Sequence, residues 1–336
     1  MTPWRPAPGT PYHRMARTDA HRWWLPPAAT AAVAAGTAAA VGVLLSVRSL
    51  VGLLTGRSSG PADEPDFGPI GETALLLLVV AAALPVVLVV ARSWQQRPAG
   101  TLTSVEGRVR WRWLTACLLI AVPAVWFMLA GFSQLLDLTG EPTAAPAAWV
   151  GWPKFAASLS MLLLLVPLQT AAEEYVFRGW LLQAVGAFVH RPWLAIGPQA
   201  VLFATAHGWG TPWGFLDLLT MGLVCGWLTV RTGGLEAAVA LHLVNNLIAY
   251  GGVAALGLLG SAGTAADAPW QLCAVSVLAL AGYALAVRWQ ADRRGIAART
   301  RPAGSKPAGS QPAGSQPAPR SRPAGWRGAE EAGAAG

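Results

Sequence analysis

Apolar residues run along this chain in long unbroken stretches. Leu75 to Ala91, Leu114 to Leu136, Phe155 to Ala172 and Leu272 to Val287 contain no charged residue. A helix that crosses hydrocarbon needs about 20 mostly apolar residues, and these runs reach that length with their flanking Trp and Gly. The pattern predicts an all-α, polytopic bundle of about eight transmembrane helices at 28–54, 72–92, 113–137, 154–176, 193–209, 213–231, 235–258 and 270–288. Residues 1–27 are rich in Pro and Arg and end on Trp23 and Trp24, which reads as a cytoplasmic leader with an interfacial aromatic pair. The long Ala-rich stretch after it reads as an uncleaved first span, with a signal peptide as the alternative. The membrane domain covers 28–290. The remainder, 291–336, is a cytoplasmic tail in which 302–325 repeats Pro-Ala-Gly-Ser. A stretch of that composition has no apolar face to bury and is expected to be disordered.

Charge orders these spans. Arg14, Arg17 and Arg22 precede the first, while the next loop carries Asp63, Glu64 and Asp66 against Arg57 alone. Arg92, Arg97, Arg108, Arg110 and Arg112 follow the second span, and Asp137 and Glu141 follow the third. Arg178 and Arg191 follow the fourth, Arg231 the sixth, and Arg288, Arg293, Arg294, Arg299 and Arg301 the last, whose preceding loop has Asp267. Basic loops alternating with Arg-poor ones place both termini in the cytoplasm, in a multi-pass protein of the cell membrane. Composition agrees: 12% of residues are charged, against about 25% in soluble domains. The net charge of +8 comes from 22 Arg and 2 Lys, which with abundant Ala, Gly and Pro suggests a GC-rich bacterial genome. The Arg residues sit at span ends, so they read as topology signals and not as a nucleic-acid surface. Cys117, Cys225 and Cys273 lie far apart in apolar segments and read as small buried hydrophobes.

An ionisable side chain inside a span costs about 2.5–3.5 kcal/mol on insertion scales, so each one asks for a function. Glu173 and Glu174 continue an apolar helix. Glu174 and Arg178 are spaced i, i+4 in the favourable order for an ion pair, which leaves Glu173 free to take or give a proton. A carboxyl in an apolar wall tends toward a raised pKa, suited to a general base. Phe203 and His207 share a helix face at i, i+4, and so do His242 and Asn246, with Asn245 alongside. Glu, His and His-plus-Asn on three helices are the parts of a water-activating site: a base, imidazoles to orient water, bind a metal or protonate a leaving amine, and a carboxamide for a tetrahedral oxyanion. Each also has a bland reading as an interhelical anchor. Asp217 reads as interfacial, Glu236 as a helix-starting carboxylate favoured by the dipole, and His190 as a loop residue.

The run Glu-Glu-x-x-x-Arg at 173–178, Phe-x-x-x-His at 203–207 and His-x-x-x-Asn at 242–246 resembles the CPBP family of intramembrane proteases. That family includes the CAAX prenyl endopeptidases of the Rce type and bacterial relatives linked to bacteriocin self-immunity. Phe177-Arg178-Gly179, Gly222-x-x-x-Gly226 and Arg231-Thr232-Gly233-Gly234-Leu235 extend the likeness across roughly 155–250. The resemblance implies an endopeptidase acting on a membrane protein or peptide, prenylated or of bacteriocin type, within the lipid bilayer. It makes Glu173 the catalytic glutamate, Glu174 its neighbour, His207, His242 and Asn246 the other catalytic positions, and Arg178 and Phe203 structural companions. His207 and His242 with Glu173 would form a His₂Glu zinc site with an open position; a metal-free glutamate mechanism is the alternative. Two other functions compete with proteolysis. One is a non-catalytic immunity or scaffold protein that keeps the fold. The other is a transporter using the acids and histidines as a proton relay, for which no paired broken half-repeats are evident. The spans as drawn conflict in one respect: Glu173 falls near the cytoplasmic end of span four and His207 near the far end of span five.

Overall fold

The computed structural model describes residues 6–19, 21–57, 64–140, 148–260 and 263–301. The repeat at 302–325 and acidic residues Asp63 and Glu141 lie outside the described residues. Helices follow one another as α1 (Leu25–Leu54), α2 (Gly68–Ala81), α3 (Ala83–Ser93), α4 (Trp111–Thr139), α5 (Trp152–Glu174), a π-helical stretch (Tyr175–Leu181), α6 (Leu182–Gly186), α7 (Trp193–Ala206), α8 (Pro212–Thr232), α9 (Glu236–Ala255) and α10 (Trp270–Arg294). No strand occurs among the described residues; two isolated bridges join Pro11 to Arg299 and Ser104 to Gly234. Leu53, Leu119, Phe127, Leu278 and Leu285 are exposed, whereas Glu174, Arg178, Gln183 and Gln199 are buried. An apolar exterior around a partly polar interior is what a bilayer solvent selects, and the chain is a multi-pass membrane protein.

Among the described residues, seven stretches are long and apolar enough to cross a membrane: 25–54, 68–93, 111–139, 152–186, 212–232, 236–255 and 270–294. Two of the expected spans need correction. The fourth does not stop at 176; it runs on through the π-helical stretch to Gly186, 35 residues in all. The fifth is not a full-length span: α7 is 14 residues long, about 21 Å, and ends at His207, where Gly208 turns the chain at φ 94°. The two departures together remove the depth conflict. Glu173 lies 13 residues before Gly186, about 20 Å up from one end of the bundle, and His207 lies a similar distance beyond Trp193.

Residues 9–10 and Thr300 are tied together at that same end. The Gly9 amide donates to the Thr300 carbonyl at 2.9 Å, and the Thr300 amide donates to the Thr10 carbonyl at 3.0 Å. Leader residues Tyr12, His13 and Met15 are buried there. The Tyr12 hydroxyl donates to the Leu102 carbonyl, and the His13 backbone packs so close to Gly186 that a Cβ would meet its carbonyl oxygen at 1.8 Å. His13 Nε2 approaches the His190 carbonyl at 3.1 Å, and burial holds the His13 pKa below its ordinary value of 6.5. Undocked, the imidazole binds a proton more readily than docked. Docking of the leader is therefore complete above about pH 6.5 and weakens as pH falls toward the lowered value. Hydrogen exchange of residues 6–19 between pH 8 and pH 5 checks this. Exchange should accelerate on acidification, and His13→Gln should remove the dependence.

Several Arg residues that read as topology signals also do structural work. Arg97 is buried and donates to Gln95, Thr101 and Gln183 at 2.6, 2.9 and 2.6 Å; desolvation lowers its pKa to about 10. Arg110 grips Glu236 through Nε at 2.8 Å and its terminal nitrogen at 2.6 Å. Glu236 opens α9 as expected, with a buried partner in addition to the helix dipole. The core beneath packs α4, α8, α9 and α10 around Cys117, Leu228, Leu241 and Tyr283. Gly222 and Gly226 bring α7 against α8: an added Cβ at Gly222 would lie 2.9 Å from the Ala200 Cα, and at Gly226 2.6 Å from the Gln199 amide nitrogen. This close approach is the membrane use of a small-x-x-x-small pattern.

Candidate active site

Three segments meet at His242. From α9 its ring faces both carboxylates at the end of α5, with Nδ1 donating to Glu174 Oε1 at 2.8 Å and Nε2 lying 3.2 Å from Glu173 Oε2. Consecutive residues on a helix point about 100° apart, so only a group set between them reaches both. Arg178 donates to the same Glu174 oxygen at 2.8 Å, and both side chains are fully buried. The i, i+4 pair is the expected one, and it forms although Arg178 sits in the wider π-helical turn. Arg178 is thus an interior cation and not a loop charge.

Phe203 on α7 is the packing centre. The Arg178 guanidinium lies 4.1 Å over its ring, the His207 ring centroid is 4.6 Å away, and the His242 ring meets it edge-on at 5.8 Å. A cation–π contact shielded from water contributes about 2 kcal/mol. His207 Nδ1 donates to the Phe203 carbonyl at 2.8 Å, which leaves Nε2 as the free ring nitrogen.

Asn246, one turn beyond His242, donates to Gln169 Oε1 at 3.1 Å. Gln169 escaped the sequence reading because it carries no charge. Its signal is present nonetheless: a primary amide inside an apolar run, four residues before Glu173. Gln169 fixes which face of the Asn246 carboxamide is presented. Gln169→Leu is expected to reduce turnover about tenfold with little change in accumulation, as a lost orienting partner does. Parallel rate and melting measurements check it.

Glu173 differs from Glu174. Its Oε2 is near His242 but off the hydrogen-bonding direction and has no hydrogen-bond partner. Glu174 spends one oxygen on both Arg178 and His242. The base-like carboxylate and the anchored carboxylate are therefore distinguishable by their partners.

Glu173, His207 and His242 do not fit a His₂Glu metal set as they stand. Among the described residues no three His, Cys, Asp or Glu side chains gather as a ligand cluster. His242 spends Nδ1 on Glu174 and turns Nε2 toward Glu173. Asp217 lies apart from the constellation, lining a cavity with Asn245 and Ser276. The three cysteines are buried and unpaired, and His190 offers its backbone carbonyl to His13.

Residues 154–248 match the Rce1-like family, described as type II CAAX prenyl endopeptidase Rce1-like. The chain is 28% identical over 204 residues to the uncharacterized protein YyaK of Bacillus subtilis (strain 168), over 56% of this chain and 67% of that protein. No solved structure matches. The matched segment begins two residues into α5 and ends two residues past Asn246, so it encloses every residue of the Glu173–His242–Asn246 constellation. Residues 154–248 of this multi-pass membrane protein are thus similar to the type II CAAX prenyl endopeptidase Rce1-like family.

Proposed function

We propose that this chain is an intramembrane endopeptidase that hydrolyses a peptide bond of a membrane-associated substrate, with Glu173 as general base. The observation that carries the reading is His242 set between Glu173 at 3.2 Å and Glu174 at 2.8 Å. Glu174, neutralised by Arg178, holds the imidazole in place. Glu173 takes a proton from water, and the resulting hydroxide attacks the scissile carbonyl carbon. The C=O π pair moves onto oxygen, where the Asn246 amide donates to the oxyanion, while His207 Nε2, with its lone pair free, accepts from and orients the attacking water. Collapse expels the amine, which leaves with the proton Glu173 had accepted. No step runs through a metal. The matched family's description points to bonds near a prenylated C-terminus, and a bacteriocin-type membrane peptide is the other substrate of this class. The termini are cytoplasmic in this reading, since the end of the bundle where residues 9–10 meet Thr300 also carries Arg97, Arg110, Arg191 and Arg231.

The test compares new protein termini in membranes holding the wild type or Glu173→Gln at equal levels, with and without a zinc chelator. Peptides released by wild type alone, undiminished by chelator, are the expected result. Loss of cleavage on chelation would return the mechanism to zinc. Identical termini in both membranes would favour the non-catalytic reading, an immunity or scaffold protein that retains the fold.

A further inference from the structure

A second polar cluster lies in the bundle outside the catalytic constellation. A partly open cavity of about 30 Å³ is lined by α4, α8, α9 and α10. Its wall is apolar, with Met128, Met221 and Leu280 prominent, apart from Asp217, Asn245 and Ser276. Each of these three comes from a different helix. Asp217 Oδ1 is buried and has no hydrogen-bond partner, and no salt bridge reaches the carboxylate among the described residues. The Ser276 hydroxyl is its hydrogen-bonding neighbour. Asn245 lines the same cavity, and its amide nitrogen lies 3.5 Å from Asn246 Oδ1.

These features specify a ligand. The donors are hard oxygens: a carboxylate, an amide carbonyl and a hydroxyl. Hard oxygens suit alkali and alkaline-earth cations and not soft metals. A single carboxylate supplies one negative charge, enough to neutralise a monovalent ion, whereas calcium sites gather several carboxylates. The cavity is about the share of volume that one water occupies, so the occupant is small. The other ionisable side chain nearby is the Cys273 thiol on α10, and no Lys, Arg or His lines the cavity to serve as counter-charge.

We propose that Asp217, Ser276 and the Asn245 carbonyl bind one small monovalent cation of the sodium class, one residue along α9 from Asn246. The site does not depend on the proteolytic reading, because its donors and its readout lie outside that chemistry. The test melts the full chain in detergent at constant ionic strength, replacing choline chloride stepwise with sodium chloride. The melting temperature is expected to rise and saturate with sodium. Asp217→Asn should abolish the rise, and Ser276→Ala should move its midpoint to higher sodium concentration. Equal melting in sodium and choline overturns the proposal, and so does a rise that persists unchanged in Asp217→Asn. A response to pH without a response to sodium assigns the carboxyl to a proton and also overturns it. Should Asp217→Asn fail to accumulate, Ser276→Ala and Asn245→Leu decide the matter: a midpoint unmoved in both rejects the site.

Discussion

Glu173→Gln is expected to slow peptide-bond cleavage by about 10²–10⁴, the usual contribution of a positioned general base. The substitution preserves volume and removes the proton acceptor. Its structural cost is small, because the Glu173 oxygen nearest His242 is not in hydrogen-bond alignment. Single-turnover cleavage of whichever peptide the terminus comparison identifies gives the rate, and a melting curve shows whether the fold is kept. Undiminished cleavage would remove Glu173 from the chemistry and with it the proposed mechanism. Glu174→Gln is the informative contrast. Its carboxylate holds Arg178 and His242 together at 2.8 Å each, so this change should lower stability and rate in parallel, where Glu173→Gln lowers rate alone.

Arg178→Met is expected to destabilise the protein by about 3–5 kcal/mol, the cost of leaving one partner of a buried ion pair uncompensated. Glu174 and Arg178 are both fully buried, and the pair is the counter-charge for the site. The change also strips the cation from the Phe203 ring at 4.1 Å. Domains of this kind hold about 5–15 kcal/mol in total, so the variant should accumulate poorly. Combining it with Glu174→Gln should recover part of the loss, since the orphaned charge is then gone. A double-mutant cycle on melting free energies measures the coupling. An Arg178→Met single variant as stable as wild type would mean that Glu174 is not ionised in the folded bundle.

The sequence reading succeeded where the bilayer imposes its own rule. Long apolar runs marked the helices from α1 to α4 and from α8 to α10, and Glu173, Glu174, Arg178, His207 and His242 stood out against lipid, whereas Arg48 inside the first span, paired with Glu72, drew no notice. The i, i+4 spacing of Glu174 with Arg178 translated directly into the observed pair. Two things could not be read that way. Hydropathy measures how apolar a run is and is blind to where it turns back, so α7 looked like a full span because Gly208 and Trp209 extend its apolar count beyond the helix end. The π-helical stretch likewise leaves no periodic mark, since Tyr175–Leu181 is too short to reveal a changed period. Neutral polar groups were the other gap. Gln169, Gln183 and Gln199 are all buried and two of them orient charged or catalytic neighbours, but an amide costs hydropathy little and so draws little notice. Basic residues near span ends are ambiguous for a related reason: Arg97 and Arg110 satisfy a topology rule and a packing role with the same charge.

The shortness of α7 has a consequence for the lipid itself. Its outer surface, with Leu194, Val201 and Leu202 exposed, offers about 21 Å of apolar height to a hydrocarbon layer about 30 Å thick. Hydrophobic mismatch of that size is relieved by drawing the two leaflets together beside the helix. Thinning of this kind would fall next to His207, where water would cross less oil to arrive. A transmembrane segment drifting along α7 would lose part of its lipid sheath there, and its backbone would meet water earlier than anywhere else on the protein's perimeter.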